Sequence, residues 1–282
     1  MILKDRVSII TGASGGIGRA IAEAFAREGS SIVLVSHNAP ELEKTKRELG
    51  SSSARLEIFA ADVSKKEDVK GMVGFTLAKF GTIDILVNCA GVYGPIGLTT
   101  DISAKDWFDA VKINLFGTFL CTKAVLPIMM KKKSGKILNF SGGGAVSPGP
   151  RFTAYSASKA GVIRLTETLA AKFKDSNIGI HAIAPGPVNS RILGQVLSAG
   201  AAAGEEELVR ALKQKGEGGV PPRQVAELAV LLASMESDGL SGRLISLPWD
   251  NWKDITRHTA AIMSSDVYTA RRIVPKERGY DW

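Results

Sequence analysis

Apolar residues recur along this chain in two alternating rhythms. Short unbroken runs rich in Val, Ile and Leu, at 6–11, 31–36, 56–60, 83–89, 136–140, 178–184 and 243–247, read as strands. Between them, stretches at 17–27, 41–49, 65–80, 104–131, 153–174 and 222–235 carry apolar positions at the spacing of amphipathic helices. A strand that is apolar at consecutive positions has no wet face, so its sheet must be covered on both sides. Regular strand and helix alternation therefore predicts an α/β, doubly wound fold: a parallel sheet of about seven strands with helices on both faces. Right-handed crossovers in such a sheet place ligands at the carboxyl ends of the strands.

Two punctuations of this pattern carry chemistry. The first strand runs into the helix at 17–27 through Thr11-Gly-Ala-Ser-Gly-Gly-Ile-Gly18. Glycines at 12, 16 and 18 let the backbone turn sharply and approach a pyrophosphate, which free N–H groups and the helix dipole attract. Further on, Tyr155-Ser-Ala-Ser-Lys159 places a phenol and an ammonium four residues apart on one helical face. The Lys159 charge is expected to favour the phenolate of Tyr155, whose ordinary pKa of roughly 10 is high for proton transfer near neutrality.

In this order the two motifs resemble the short-chain dehydrogenase/reductase family, over residues 1–247. The resemblance implies a Rossmann-type nucleotide-binding enzyme, an oxidoreductase moving hydride between NADP(H) and a secondary alcohol/ketone pair. It assigns catalysis to Asn114, Ser141, Tyr155 and Lys159: Tyr155 transfers the proton, Lys159 lowers its pKa and holds the nicotinamide ribose, and Asn114 bends its helix and holds a relay water. The serine hydroxyl would polarise the reacting oxygen. Family spacing to the tyrosine lands on Gly142; a loop longer by one residue through 147–150 would restore Ser141, with Ser147 the fallback.

The same resemblance assigns the cofactor to Gly12, Ser14, Gly16, Ile17 and Gly18 in the turn, and to Ser36, His37 and Asn38 after the second strand. Asp62 and Val63 would meet the adenine, with Asp62 as a helix cap the plainer alternative. Asn88, Ala90 and Gly91 belong to Asn88-Cys-Ala-Gly91, where Cys89 replaces the family's second asparagine and with it a strand-to-strand hydrogen bond. Pro185, Val188 and Ser190, together with Tyr155 and Lys159, would hold the nicotinamide end. Where a carboxylate would accept bonds from the adenosine ribose and repel a 2′-phosphate, the chain offers Ser36-His37-Asn38. The missing acid favours NADP(H). Gly15, however, stands where NADP-using members carry a second basic residue, so NAD(H) stays open.

Composition narrows the rest. A chain of 282 residues suits one α/β domain that buries about three quarters of its extended surface. Its 36 Lys+Arg against 28 Asp+Glu leave +8, but only 131–133 and 271–272 are clustered basic runs, so nucleic acid is not expected. No secretory leader and no apolar run of about 20 residues is read, which implies a cytoplasmic protein without a membrane partner. Cys89 and Cys121 read as small buried residues rather than a bridge. No metal is expected; the partners are a small carbonyl or alcohol substrate and further copies of the chain, as a homodimer or homotetramer. Residues 191–219, rich in Gly and Ala around a helical 205–215, read as a substrate lid. Residues 248–282 form a tail with two nearby tryptophans and a helical stretch at 252–263, expected to pack near the pocket or a subunit interface rather than merely cover an edge.

Overall fold

The computed structural model describes residues 1–50 and 54–282. Its strands are β1 (Val7–Thr11), β2 (Ser31–Ser36), β3 (Leu56–Ala60), β4 (Ile85–Asn88), β5 (Gly135–Phe140), β6 (Ile178–Ala184) and β7 (Arg243–Ser246). They pair in parallel in the order β3-β2-β1-β4-β5-β6-β7. The chain winds outward from β1 to β3, then restarts at β4 on the other side of β1. That reversal opens a crevice at the carboxyl ends of β1 and β4, where such folds bind ligands.

Among the described residues the α-helices are α1 (Gly16–Arg27), α2 (Ala39–Leu49), α3 (Lys66–Phe80), α4 (Ala104–Val111), α5 (Gly117–Lys132), α6 (Thr153–Lys172), α7 (Arg191–Ala199), α8 (Glu205–Glu217), α9 (Pro222–Ala233) and α10 (Thr259–Met263). Neighbouring residues of one strand serve opposite cores. Ile10, Leu34, Val87 and Leu138 pack with Phe25 of α1 and Leu228 and Leu232 of α9. Ile9, Val33, Leu86 and Ile137 pack with Met72 of α3 and Val125 and Met129 of α5. Alternating side chains are apolar on both faces, hence the unbroken apolar runs. Complete burial of one such side chain, Phe25 for example, contributes about 2–3 kcal/mol.

A buried polar ladder joins the central strands. Asn88 Nδ2 donates to Asn139 Oδ1 at 2.8 Å and to Thr122 Oγ1 at 3.1 Å, and Asn139 Nδ2 donates to Thr166 Oγ1 at 2.9 Å. The tie between strands that Cys89 cannot make is thus present one residue earlier.

Two expectations change. The span Ala104–Lys132 is, by length and composition, long and apolar enough to cross a bilayer, although no apolar run of that size was expected. Half of its most apolar stretch is buried in the domain, as a core helix must be. The tail, in turn, runs along the open edge of the sheet: Leu244 N of β7 donates to Tyr268 O at 2.8 Å, and Ala270 N donates to Glu167 Oε1 at 2.6 Å. Ile255 and Ile262 are buried and Trp252 packs on the first core, whereas Trp249 and Trp282 are each 86% exposed. Most of the tail therefore covers the edge, satisfying backbone groups that β7 would otherwise present to solvent. Only its first residue approaches the site: Pro248 Cγ lies 2.5 Å from where a Cβ on Gly186 would stand.

Candidate active site

The glycine turn is built by exclusion. Gly12 has φ 70° and Gly16 φ 54°, the left-handed region where only glycine is unstrained. A Cβ on Gly12 would meet the Ala90 backbone at 3.0 Å, and one on Gly18 would meet Gly12 O at 2.4 Å. Thr11 Oγ1 accepts from Cys89 N and Ala90 N, both at 3.1 Å, so the turn and the 88–91 element are knitted together. No side chain caps α1, whose first-turn N–H groups, including that of Ile17, are left for another acceptor. Close backbone approach and an uncapped helix start together fit the pyrophosphate of a dinucleotide.

At the end of β2, Ser36 Oγ accepts from Ser14 Oγ at 3.0 Å and from Asn38 N at 3.2 Å. Asn38 Oδ1 caps α2 by accepting from Glu41 N at 3.1 Å, and His37 is exposed. Asp62 accepts through Oδ1 from Ser64 N at 3.0 Å and Ser64 Oγ at 2.7 Å. Burial raises its carboxyl, but these bonds and nearby Lys65 outweigh that, and its pKa lies below the ordinary value. One Asp62 oxygen thus serves its own turn. Val63 is buried, its Cγ2 lying 2.8 Å from a Cβ built on Gly117. Asn88 spends its side-chain Nδ2 group inside the sheet.

Tyr155 and Lys159 stand on one face of α6, both buried. Lys159 Nζ donates to Phe140 O at 2.8 Å. Between α4 and α5 the helix widens into a π-turn over Lys112–Phe116, the bend expected of Asn114. Asn114 Nδ2 donates to Val92 O at 2.8 Å and Ser158 Oγ at 3.0 Å, while its Oδ1 accepts from Val92 N at 2.9 Å. A Cβ on Gly91 would lie 3.1 Å from Asn114 Oδ1 and 3.4 Å from Lys159 Nζ, so Gly91 is the gap through which these two approach.

The serine falls elsewhere than expected. Ser141 Oγ is buried and donates to Lys159 O at 3.2 Å, a bond back into α6. Facing Tyr155 is Gly142, where a Cβ would stand 2.2 Å from the Tyr155 hydroxyl oxygen. No slip of the loop carries Ser141 to that place: successive residues of an extended strand end point to opposite sides, and Ser141 points away. Ser147, the fallback, is exposed beyond the short 3-10 turn at Gly143–Ala145.

Electrostatics also differ from the simple pairing. Burial pushes the Tyr155 phenol above its ordinary value, and Tyr93 and Cys89 push the same way. Burial drives Lys159 down to about 8, with Cys89 acting in the opposite direction. Desolvation is thus the leading cause of both shifts, raising the phenol and lowering the ammonium.

Neighbours without a motif complete the site. The ring of Tyr93 lies 4.5 Å from that of Tyr155 and 5.0 Å from that of Phe152. Gln195 Oε1 of α7 accepts from Tyr93 N at 3.0 Å, and Val196, Leu193 and Leu197 from the same helix close over this apolar cluster. Residues 191–219 thus contain α7 as well as the expected helix, realised as α8. Ser190 precedes α7 without capping it, and its Cβ lies 3.5 Å from a Cβ built on Gly16. Val188 is buried, and Gly186, after Pro185, takes φ 76°. A cavity of about 790 Å³ lies at the opposite end of the sheet, lined by Lys136, Arg164 and Arg243, and no motif residue reaches it.

Known proteins resemble this chain in sequence and in fold. The family description "short chain dehydrogenase" matches residues 6–200. Glucose 1-dehydrogenase 2 of Bacillus subtilis is 33% identical over 242 residues, 85% of this chain and 92% of that protein. The structure of an NAD+-bound xylitol dehydrogenase superposes with TM-score 0.81 at 28% identity, covering 87% of this chain and 98% of that one. A variant of the actinorhodin polyketide ketoreductase with NADPH superposes with TM-score 0.79 at 27% identity, covering 86% and 95%. With its glycine turn, its Tyr155 and Lys159 and the match over most of its length, the chain belongs to the short-chain dehydrogenase/reductase family and is an NAD(P)-dependent oxidoreductase.

Proposed function

We propose that this enzyme interconverts a secondary alcohol and a ketone with NADP(H), using Tyr155 as the proton donor and acceptor. The observation that carries the reading is the convergence at the carboxyl ends of β4 and β5 of Asn114 and Lys159 around Gly91 and of Tyr155 against Gly142. A bound nicotinamide supplies or accepts the hydride; the remaining tasks fall to side chains. Tyr155, kept protonated by burial, is poised to donate to a carbonyl oxygen. Lys159 spends one of its donors on Phe140 O, leaving others for a ribose hydroxyl and for recharging the phenol. Asn114 positions: its side chain fixes the 92 backbone beside Gly91. With Gly142 opposite the phenol, Tyr155 acts without a serine hydroxyl from that strand. The apolar surround of Tyr93, Phe152 and Val196 suits a substrate with a hydrocarbon body.

Preference for NADP(H) rests on the end of β2, where the hydroxyls of Ser36 and Ser14 stand and the chain carries Ser36-His37-Asn38 in place of a ribose-binding acid. His37 and Asn38 border the same place. Gly12, Ser14, Gly16, Ile17 and Gly18 seat the pyrophosphate, Asp62 and Val63 the adenine, Ala90 and Gly91 the ribose, and Pro185, Val188 and Ser190 the carboxamide. Phe116 and Phe119 are exposed and stacked with centroids 6.1 Å apart, an apolar patch suited to a second copy of the chain. Light scattering that finds only monomer would remove this part of the proposal.

The direct test is titration of purified protein with NADPH and NADH, followed by cofactor oxidation on a panel of ketones. Turnover with NADPH at the higher kcat/KM is expected. Binding without turnover across a broad panel would indicate a sensor, and a higher efficiency with NADH would overturn the cofactor preference.

A further inference from the structure

The glycine turn has no cation of its own, because Gly15 stands where one would project; yet a guanidinium lies there. Arg191, the first residue of α7, donates from Nη2 to Ser14 O at 2.7 Å and to Ser14 Oγ at 3.1 Å. A Cβ built on Gly15 would meet that same Nη2 at 2.6 Å. The missing side chain at 15 is therefore what admits the arginine. Ser14 Oγ passes the chain of hydrogen bonds on to Ser36 Oγ at 3.0 Å, so the guanidinium lies between the pyrophosphate cradle and the end of β2.

Its present partners are a carbonyl and a hydroxyl. Among the described residues no carboxylate forms an ion pair with Arg191, in contrast to Arg19, Arg27 and Arg164, each paired with a glutamate. The residue is exposed, so neither a core nor an ion pair accounts for its placement. A guanidinium has five donors in a planar fork whose best partner is a phosphate or carboxylate, and this one is set beside the uncapped start of α1.

We infer that Arg191 is the phosphate-binding arginine of this enzyme, carried on the lid instead of in the turn. The inference rests on the dinucleotide reading above and deepens it. Because Arg191 opens α7, the helix that also brings Gln195 and Val196 to Tyr93 and Phe152, a phosphate held by Arg191 draws the lid over the substrate cluster. Cofactor phosphate and lid position become one equilibrium.

The test measures dissociation constants of NADPH and NADH by calorimetry for wild type, Arg191→Ala, Arg191→Lys and Gly15→Ala. Loss of a charge-assisted contact should weaken Arg191→Ala by about 10- to 100-fold for at least one cofactor. Arg191→Lys should fall between, since an ammonium keeps charge but loses the fork. Gly15→Ala should weaken binding in the same direction, because its methyl takes the guanidinium's place. Equal loss for both cofactors assigns the contact to the pyrophosphate; loss confined to NADPH assigns it to the 2′-phosphate; either supports the proposal. Arg191→Ala binding both cofactors within about twofold of wild type would overturn it while leaving the dinucleotide reading intact. A wild type that binds neither cofactor would overturn both.

Discussion

Adding one methyl group at position 142 should disable the enzyme, whereas deleting the hydroxyl at 141 should not. Gly142 has φ −177°, extended backbone that any residue adopts, so Gly142→Ala introduces no backbone strain. Its Cβ would, however, stand 2.2 Å from the Tyr155 hydroxyl oxygen, 3.0 Å from Cζ and 3.2 Å from Cε1. Relief to an ordinary contact needs a shift of about 1 Å, a misplacement that costs on the order of a hundredfold in rate. The ring cannot swing freely, because Tyr93 lies 4.5 Å away on one side. Ser141→Ala removes a 3.2 Å bond to Lys159 O, a loss of about 1 kcal/mol in stability. Its kcat should stay within about threefold of wild type, since no reacting atom loses a partner. Steady-state kcat on one ketone, with thermal melting and cofactor titration beside it, separates the outcomes. Full activity in Gly142→Ala would show that the phenol does not work from this position. A fall of more than about tenfold in Ser141→Ala at unchanged melting temperature would return the oxyanion role to Ser141.

Tyr155→Phe should abolish measurable turnover and leave the dissociation constant of NADPH within about twofold, because the hydroxyl moves a proton and adds little to ground-state binding; retained turnover would refute its role. Lys159, ordinarily 10.5, is held at about 8 by burial, so the native state binds fewer protons than the unfolded chain between those values. Stability contributed by this group therefore rises as pH increases from 8 toward 10, and the buried charge costs about 3 kcal/mol at neutrality. Lys159→Met should be inactive yet at least as stable as wild type by urea unfolding at pH 7, with the difference shrinking by pH 9.5; a variant less stable at pH 7 would contradict this. Ser36→Asp should lower NADPH affinity by repelling the 2′-phosphate and raise the NADH to NADPH ratio of kcat/KM; an unchanged ratio would place the 2′-phosphate elsewhere.

The periodicity of the chain was enough to determine the doubly wound sheet. Strands buried on both faces must be apolar at every position, and seven such runs alternating with helices leave one architecture. Gly12, Gly18, Tyr155 and Lys159 were legible for a related reason: each sits at a fixed offset within one turn or one helix, where local geometry decides what neighbours what. The bend at Asn114 was implied by the family resemblance, and an asparagine inside a long apolar helix, unfavourable there by propensity, agreed with a functional role.

What the sequence could not determine were the relations between segments. Whether Ser141 or Gly142 meets Tyr155 depends on which side of β5 faces α6, a choice made by packing that spacing alone left open. The raised phenol follows from burial of Tyr155 in a cluster with Tyr93, Phe152, Val196, Ala203 and Ala211, residues scattered from 93 to 211. The tail's aromatic composition suggested the pocket or a subunit interface, but within the chain the open edge of β7 had backbone groups to satisfy and took most of it. Arg191 stands 176 residues from Gly15 and carries no motif; only the folded chain brings its guanidinium to the gap the glycine leaves.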